Sequence, residues 1–319
     1  MSQVLFLNPV FKENIWGGDQ LKTRFGYDIP SSHTGECWAV CAHQNGDCTV
    51  RGGEFDGQAL SSLWKNHREL FGDLAMEEFP LLIKLIDAKE DLSIQVHPDD
   101  AYAAAHEEGG RGKTECWYVL DCAPDSTIVV GHNATDKEQL RQMVEQKRFS
   151  ELLRVRPLHK GDFFQLPPGT IHAIRAGSLI LEVQQNSDIT YRLYDYDRLQ
   201  DGKPRQLHLE KGLDVIRTPY EDVASPRQKT IGVGYEREEL IDCPCYHVEK
   251  VTVSGRTVLE QHAPFIAVNV LGGHGSIDGE PVRRGDHLIL TAGFDKIPLE
   301  GQLQMIFTYV PANGKEETI

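Results

Sequence analysis

Gly161-Asp162-Phe163-Phe164-Gln165-Leu166-Pro167-Pro168-Gly169-Thr170-Ile171-His172-Ala173-Ile174-Arg175-Ala176-Gly177 is the stretch on which the fold turns. Asp162 to Leu166 reads as a short strand. Two prolines and a glycine then impose a turn, because proline fixes φ and glycine accepts the left-handed conformations a tight corner needs. His172 is therefore delivered from a rigid corner, and a side chain that binds a ligand benefits from such preorganisation.

The stretch recurs. At a constant offset of 124 positions, Gly161-Asp162 aligns with Gly285-Asp286, Leu166 with Leu290, Gly169 with Gly293, Gly177 with Gly301 and Leu179 with Leu303. Two related β units are expected. His172 aligns with Lys296, and Pro167-Pro168-Gly169-Thr170 becomes Thr291-Ala292-Gly293-Phe294. Whatever His172 does, the second unit is not expected to do.

Around these copies the chain reads as short strands bounded by Gly, Pro, Asp or Asn: 49–51, 81–87, 92–96, 116–120, 127–131, 162–166, 178–183 and 190–194, then 246–253, 265–271, 287–290 and 304–310. The pattern predicts a mainly β protein, a sandwich or barrel with a few peripheral helices. Two helices stand out, one over about 58–71 and one opening at Thr135, where Thr135 and Glu138 suggest a capping box and Leu140, Met143 and Val144 share a face. The charged, Pro- and Ser-containing segment 218–238 places a boundary between a first domain, 1–220, and a second, 221–319.

Three motifs carry chemistry. In Ser93-Ile94-Gln95-Val96-His97-Pro98, alternation puts Ser93, Gln95 and His97 on one face before Pro98 ends the strand. In Lys113-Thr114-Glu115-Cys116-Trp117, Glu115 and Trp117 share a face; Glu115 either points outward at a strand start or turns inward and must find a partner. His172 is the third. Beside them lie the cations Lys84, Lys113 and Arg192.

The pattern Gly161, Pro167, Gly169, His172 resembles the second motif of the cupin superfamily. Pro80 to Asp87 leading into Leu92-Ser93-Ile94-Gln95-Val96-His97-Pro98 is similar to type I phosphomannose isomerases, and Asn14-Ile15-Trp16-Gly17-Gly18 matches that family's N-terminal signature. The resemblance runs from Asn8 to about Arg198 and continues more weakly through the second unit. It implies a cupin (jelly-roll) β-barrel followed by a degenerate cupin-like unit, and a zinc-dependent aldose-ketose isomerase acting on mannose 6-phosphate and fructose 6-phosphate through an enediolate. It further implies Gln95, His97, Glu115 and His172 as ligands of one Zn2+ per chain, and Arg192 over the active site. Lys113 and Arg192 are expected to assist catalysis, and Trp16, Lys84, Ser93 and Glu182 to contact substrate. Trp16 could equally be a core residue, and the base could be Glu182, Lys113 or a metal-bound water. Ile174 stands where several relatives carry an aromatic residue, and their large helical insertion is reduced to the Thr135 region. An Fe(II) oxygenase uses the same donor types, and a sugar-binding cupin without activity would keep the barrel.

Composition narrows the rest. A formal net charge of -15 opposes binding to nucleic acid and to acidic membranes. The partner expected is a small sugar phosphate, and the chain a monomer or small homo-oligomer. Met1 to Val10 lacks a basic region ahead of its apolar run, and no segment approaches the roughly 18 apolar residues of a membrane span. A cytoplasmic location is expected. The seven cysteines lack CxxC pairing and are expected to be reduced thiols; Cys243-Pro244-Cys245 is read as a turn rather than a metal clip.

Overall fold

Two antiparallel sheets face one another and form the catalytic barrel of the computed structural model, which describes residues 3–225 and 227–311. Met1, Ser2, Pro226 and the last eight positions of the second unit lie outside them. One sheet has the strand order Phe163–Leu166, Glu115–Cys122, Ser178–Gln185, Leu81–Ala88, Val10–Gly18, Thr34–Val40. The other runs Leu153–Pro157, Thr127–His132, His172–Ile174, Ile94–Val96, Tyr191–Tyr194. Trp117, Val119, Ile86 and Ile180 from the first sheet pack against Ile128, Val130 and Ile174 of the second. The expected jelly-roll barrel is present.

The first sheet is covered on its outer face too. Leu81, Ile83 and Leu85 belong to a separate core shared with Tyr246, Phe265 and Ile306 of the C-terminal sheet, so all eight residues of Leu81–Ala88 are buried. Burial on both faces explains why this strand reads as an almost unbroken apolar run. The second sheet is backed by three helices, Lys137–Glu145, Phe149–Leu152 and Leu209–Val215, packed on Val96, Ala173 and Tyr191.

The C-terminal sheet joins Lys229–Gly232, Tyr235–Asp242, His247–Glu260, Lys296–Tyr309, Ile266–Ile277 and His287–Leu290, with Val4–Asn8 and Thr49–Arg51 from the chain's start added at its edge. The repeat is physical. His159 N donates to Asp162 Oδ2 as Arg283 N does to Asp286 Oδ2, each at 2.8 Å, and Gly161 and Gly285 both take positive φ, 88° and 90°. Lys296 is exposed on its strand. The second unit keeps the turn and lacks the ligand.

Several local expectations need correction. The helix expected over 58–71 is broken at His67 into Leu60–Asn66 and a 3-10 turn, Arg68–Phe71. The helix cap is Asp136, whose side chain accepts from Gln139 N at 2.8 Å, while Thr135 instead bonds the Gln139 side chain. Helices Gln20–Phe25, Asp100–His106 and Leu209–Val215 were not foreseen, nor were strands Val4–Asn8, Val10–Gly18, Thr34–Val40 and Tyr235–Asp242. No helix among the described residues is long and apolar enough to cross a membrane.

An aromatic cluster locks the two sheets together. Trp64, Phe71, Phe79 and Phe265 lie at centroid distances of 5.1 to 6.2 Å, each nearly inaccessible to solvent. Phe265→Ala is expected to destabilise the protein by about 3–5 kcal/mol, measured as a fall in the chemical-unfolding midpoint. A loss below about 1 kcal/mol would show that the cluster does not couple the sheets.

Candidate active site

Two cross-strand rows face each other inside the barrel. In the first sheet, Trp38, Lys84, Glu182, Trp117 and Phe164 are successive register partners. In the second, the row is Arg192, Gln95, His172 and Val130. Register partners project to the same face, so Lys84 and Glu182 of one sheet meet Arg192, Gln95 and His172 of the other across one space. Backbone bonds stitch the three sequence motifs together: Gly169 N donates to His97 O at 2.9 Å and Lys113 N to Pro98 O at 3.0 Å. The strand Ile94–Val96 is short because Pro98 has no N–H to extend the ladder.

His97, Glu115 and His172 converge. His172 Nε2 lies 3.1 Å from His97 Nε2 and 3.2 Å from Glu115 Oε1, and His97 Nε2 lies 3.5 Å from Glu115 Oε2. Zinc–ligand lengths of about 2.0–2.2 Å place neighbouring tetrahedral donors roughly 3.3–3.6 Å apart. The observed spacing fits one ion. These three form the single cluster of potential Asp, Glu, His or Cys metal ligands found among the described residues. Gln95 adjoins it, its amide 3.2 Å from His172 Nε2, and Ser93 Oγ reaches the Gln95 Oε1 at 3.4 Å.

The protonation chemistry agrees with a bound cation. His97 Nδ1 donates to Ile189 O at 2.8 Å and His172 Nδ1 to Thr170 O at 2.9 Å. Each bond fixes the tautomer that turns an Nε2 lone pair to the cluster. Burial, then the nearby Lys113, holds both imidazoles neutral; His97 is pushed well down and His172 to about 4. Glu115 is completely buried, and neither carboxylate oxygen receives an aligned hydrogen bond. Lys113 Nζ lies 3.0 Å from its Oε2. Burial and then repulsion from Glu182 raise Glu115 to about 7 against the pull of Lys113 and Lys84. An under-satisfied buried carboxylate facing two neutral imidazoles is a donor set for a divalent cation.

Above the cluster opens a cavity of about 200 Å³. Its lining includes Trp16, Lys84, Ser93, Gln95, Lys113, Glu182 and Arg192, which brings every residue expected to contact substrate or assist catalysis to one place. Trp16 both walls the cavity and packs in the barrel core, so its two readings are one position. Gly35 leaves room for it: a Cβ there would fall 2.5 Å from the indole and 2.7 Å from Asn14 Oδ1. Lys84 bridges Glu182 at 3.2 Å and Glu36 at 3.6 Å. Burial opposes its charge, but Glu36, Glu182 and Glu115 outweigh burial and push Lys84 up. Burial likewise opposes ionisation of Glu182, but Lys84, Lys113 and the Trp117 indole hydrogen bond hold it at about 2.

Sequence reasoning missed Asn14, Glu36, Trp38, Asp188, Thr190 and Arg205, all of which line the cavity. Glu36 and Trp38 share one face of Thr34–Val40, but a strand was not expected there, so their common direction gave no signal. Arg205 arrives on a loop, aimed by Asp195, whose carboxylate accepts from it at 2.6 and 2.7 Å and also from Arg198 at 2.6 Å; nothing local in the sequence marks it.

The known proteins to which this chain is similar are isomerases by name. Residues 4–118 match the family described as phosphomannose isomerase type I, catalytic domain, and residues 237–310 the mannose-6-phosphate isomerase cupin domain. Mannose-6-phosphate isomerase ManA of Bacillus subtilis is 49% identical over 97% of this chain and 99% of its own. This chain belongs to the type I phosphomannose isomerase family. A mannose-6-phosphate isomerase of Streptococcus mutans is 44% identical over 97% of this chain and 99% of its own. The crystal structure of the mannose 6-phosphate isomerase from Bacillus subtilis superimposes with a TM-score of 0.94 at 43% identity, covering 96% of this chain and 99% of that one.

If the cluster holds a metal, His172→Ala is expected to strip the purified protein of it while leaving the far-ultraviolet circular dichroism unchanged. Elemental analysis checks this. A variant with wild-type metal content would remove His172 from the ligand set.

Proposed function

We propose that the chain interconverts mannose 6-phosphate and fructose 6-phosphate in the cytoplasm, with one Zn2+ held by Gln95, His97, Glu115 and His172. The observation that carries the reading is the meeting of two tautomer-locked imidazoles and an under-satisfied buried carboxylate at the foot of a cavity walled by lysine and arginine. Bound zinc would orient the two sugar oxygens and offset charge on them as a Lewis acid. Gln95 donates to His172 in the arrangement seen; rotation of its amide presents Oε1 instead, a weaker oxygen ligand beside three strong ones.

Isomerisation removes a proton from C2 of the open-chain aldose and places one on C1, with an enediolate between; the reverse carries the ketose back. Lys113, 3.0 Å from Glu115 and 3.3 Å from His97, is positioned to hand a proton to and from a sugar oxygen at the cluster. Arg192 is half-buried, and burial and the neighbouring Arg205 oppose its charge; its guanidinium is therefore poised to gain from an anion, whether enediolate or phosphate. Glu182, held ionised by Lys84, is better suited to accept hydrogen bonds from sugar hydroxyls than to remove a proton, because so acidic a carboxyl is a weak base. Ser93 adds a hydroxyl at the cavity wall. The oxygenase and the non-catalytic readings lose ground, since the relatives named above are isomerases by name.

Chelation is expected to abolish turnover and added zinc to restore it in a coupled isomerase assay; full activity of metal-free protein would refute the metal role. Arg192→Ala is expected to lower kcat/KM by about 10²–10³-fold, and Lys113→Ala by about 10²–10⁴-fold. Unaltered kinetics in both variants would reject their assignment.

A further inference from the structure

The surface of this acidic chain is interrupted at one cleft. It shares no lining residue with the catalytic cavity and lies at the seam between the barrel and the C-terminal sheet. Arg24 and Lys160 reach it from the barrel side, Lys250 and Arg284 from the C-terminal side. Asp121 is the one carboxylate in the lining, and Arg24 already holds it at 2.6 Å. Among the described residues, Lys160, Lys250 and Arg284 have no carboxylate within ion-pair distance. A chain of net charge -15 thus gathers three cations outside any ion pair around one opening of about 70 Å³, with Asp121 as the one anion in its lining. One water needs about 10–15 Å³ of such space, so the opening has room for a few waters or one tetrahedral oxyanion.

The cations are aimed. The Arg284 guanidinium lies 5.4 Å over the Phe25 ring, and its Nε donates to Leu271 O at 3.1 Å. Lys250 Nζ stands 5.9 Å from the Tyr118 ring centroid. Their backbones are fixed as well. Gly161 N donates to Val119 O at 2.9 Å and Val119 N to Asp162 O at 3.0 Å, clamping the Lys160 turn to strand Glu115–Cys122; Arg284 N donates to Gly273 O at 3.0 Å. Like charges held together without counter-charge repel, and an anion among them relieves that repulsion while gaining charge-assisted hydrogen bonds. Preorganised donors lose little freedom on binding.

We propose that this cleft is a second anion site, which holds the phosphoryl group of a small phosphorylated metabolite between the catalytic barrel and the C-terminal sheet. The site is independent of the reaction proposed above and stands whether or not that reading holds.

Equilibrium dialysis of the metal-loaded, full-length protein against radiolabelled inorganic phosphate at low salt tests it. Arg192→Ala, which weakens anion binding in the catalytic cavity, is expected to retain the cleft's phosphate. Lys250→Glu combined with Arg284→Glu is expected to bind it at least about tenfold more weakly, with kcat/KM within about twofold of wild type. The charge-conserving pair Lys250→Arg and Arg284→Lys is expected to keep it, which separates loss of charge from damage to the fold. Glycerol phosphate competing at lower concentration than unlabelled phosphate supports an organic phosphate as occupant. Competition by free phosphate alone, binding that vanishes in Arg192→Ala, or binding equal in every variant, which marks an adventitious ion only, would each overturn the proposal.

Discussion

A carboxylate with no aligned hydrogen-bond donor, sealed from water, is the constraint around which the barrel is arranged. Glu115 is wholly buried, and the cost of such a group is several kcal/mol unless a cation meets it. Lys113 supplies part of that charge at 3.0 Å. The remainder of the demand is directed at the point where His97 and His172 turn their Nε2 lone pairs, a direction set by two backbone carbonyls on the far side of the rings. Neutral imidazoles cannot compensate a carboxylate by themselves, so a cation among these donors, or a proton on Glu115, which burial raises to about 7, would relieve the cost.

The same logic organises the opposite wall. Lys84, Glu182 and Trp117 sit in one cross-strand row, and each satisfies the next: the indole donates to Glu182 at 2.9 Å and Lys84 bridges Glu182 to Glu36. Lys84 projects from a strand whose other face is committed to the core shared with the C-terminal sheet. A one-residue slip would bury that lysine among Leu81, Ile83 and Leu85 and expose leucine to the cavity. The second β unit thus fixes the register of the first, which gives it a structural task.

How much of this was legible in the sequence depends on what each residue's position rests on. The two-residue period of a strand puts Gln95 and His97 on one face and a proline-glycine turn fixes His172 locally, but the period left the direction of Glu115 open, and the grouping of the four came from the family resemblance rather than from spacing. Thr34–Val40 and Val10–Gly18 escaped because bulges interrupt their pairing and their polar residues face a cavity rather than solvent, so the apolar–polar alternation is blurred. Segment 58–71 read as one helix because its apolar residues continue across His67, where the backbone departs from helical geometry (φ -133°, ψ 54°). Thr135 was preferred over Asp136 because Glu138 stands three residues on, as a capping box requires; Asp136 has Gln139 at the same spacing, and only the geometry distinguishes the two. Arg205 was invisible, since Asp195, which aims it, is a tertiary neighbour in a region without periodicity.

The charge distribution follows from the chemistry of a phosphorylated substrate. With a formal net charge of -15, the protein's overall field opposes an approaching phosphate, and attraction can prevail only within roughly a Debye length of 8–10 Å. Recognition must therefore come from cations fixed at short range. Arg192 and Arg205 are fixed in this way, one by its bond to Gln206 O at 2.9 Å and the other by Asp195. Holding them in place costs little extra when the substrate binds, because each guanidinium is already tied from behind, Arg192 by a backbone carbonyl and Arg205 by a carboxylate. Free lysines on flexible stems would serve capture at long range; guanidinium groups held from behind serve orientation. The acidic exterior is compatible with activity because Lys84, Lys113, Arg192 and Arg205 gather inside the one cavity that the substrate's anion must enter.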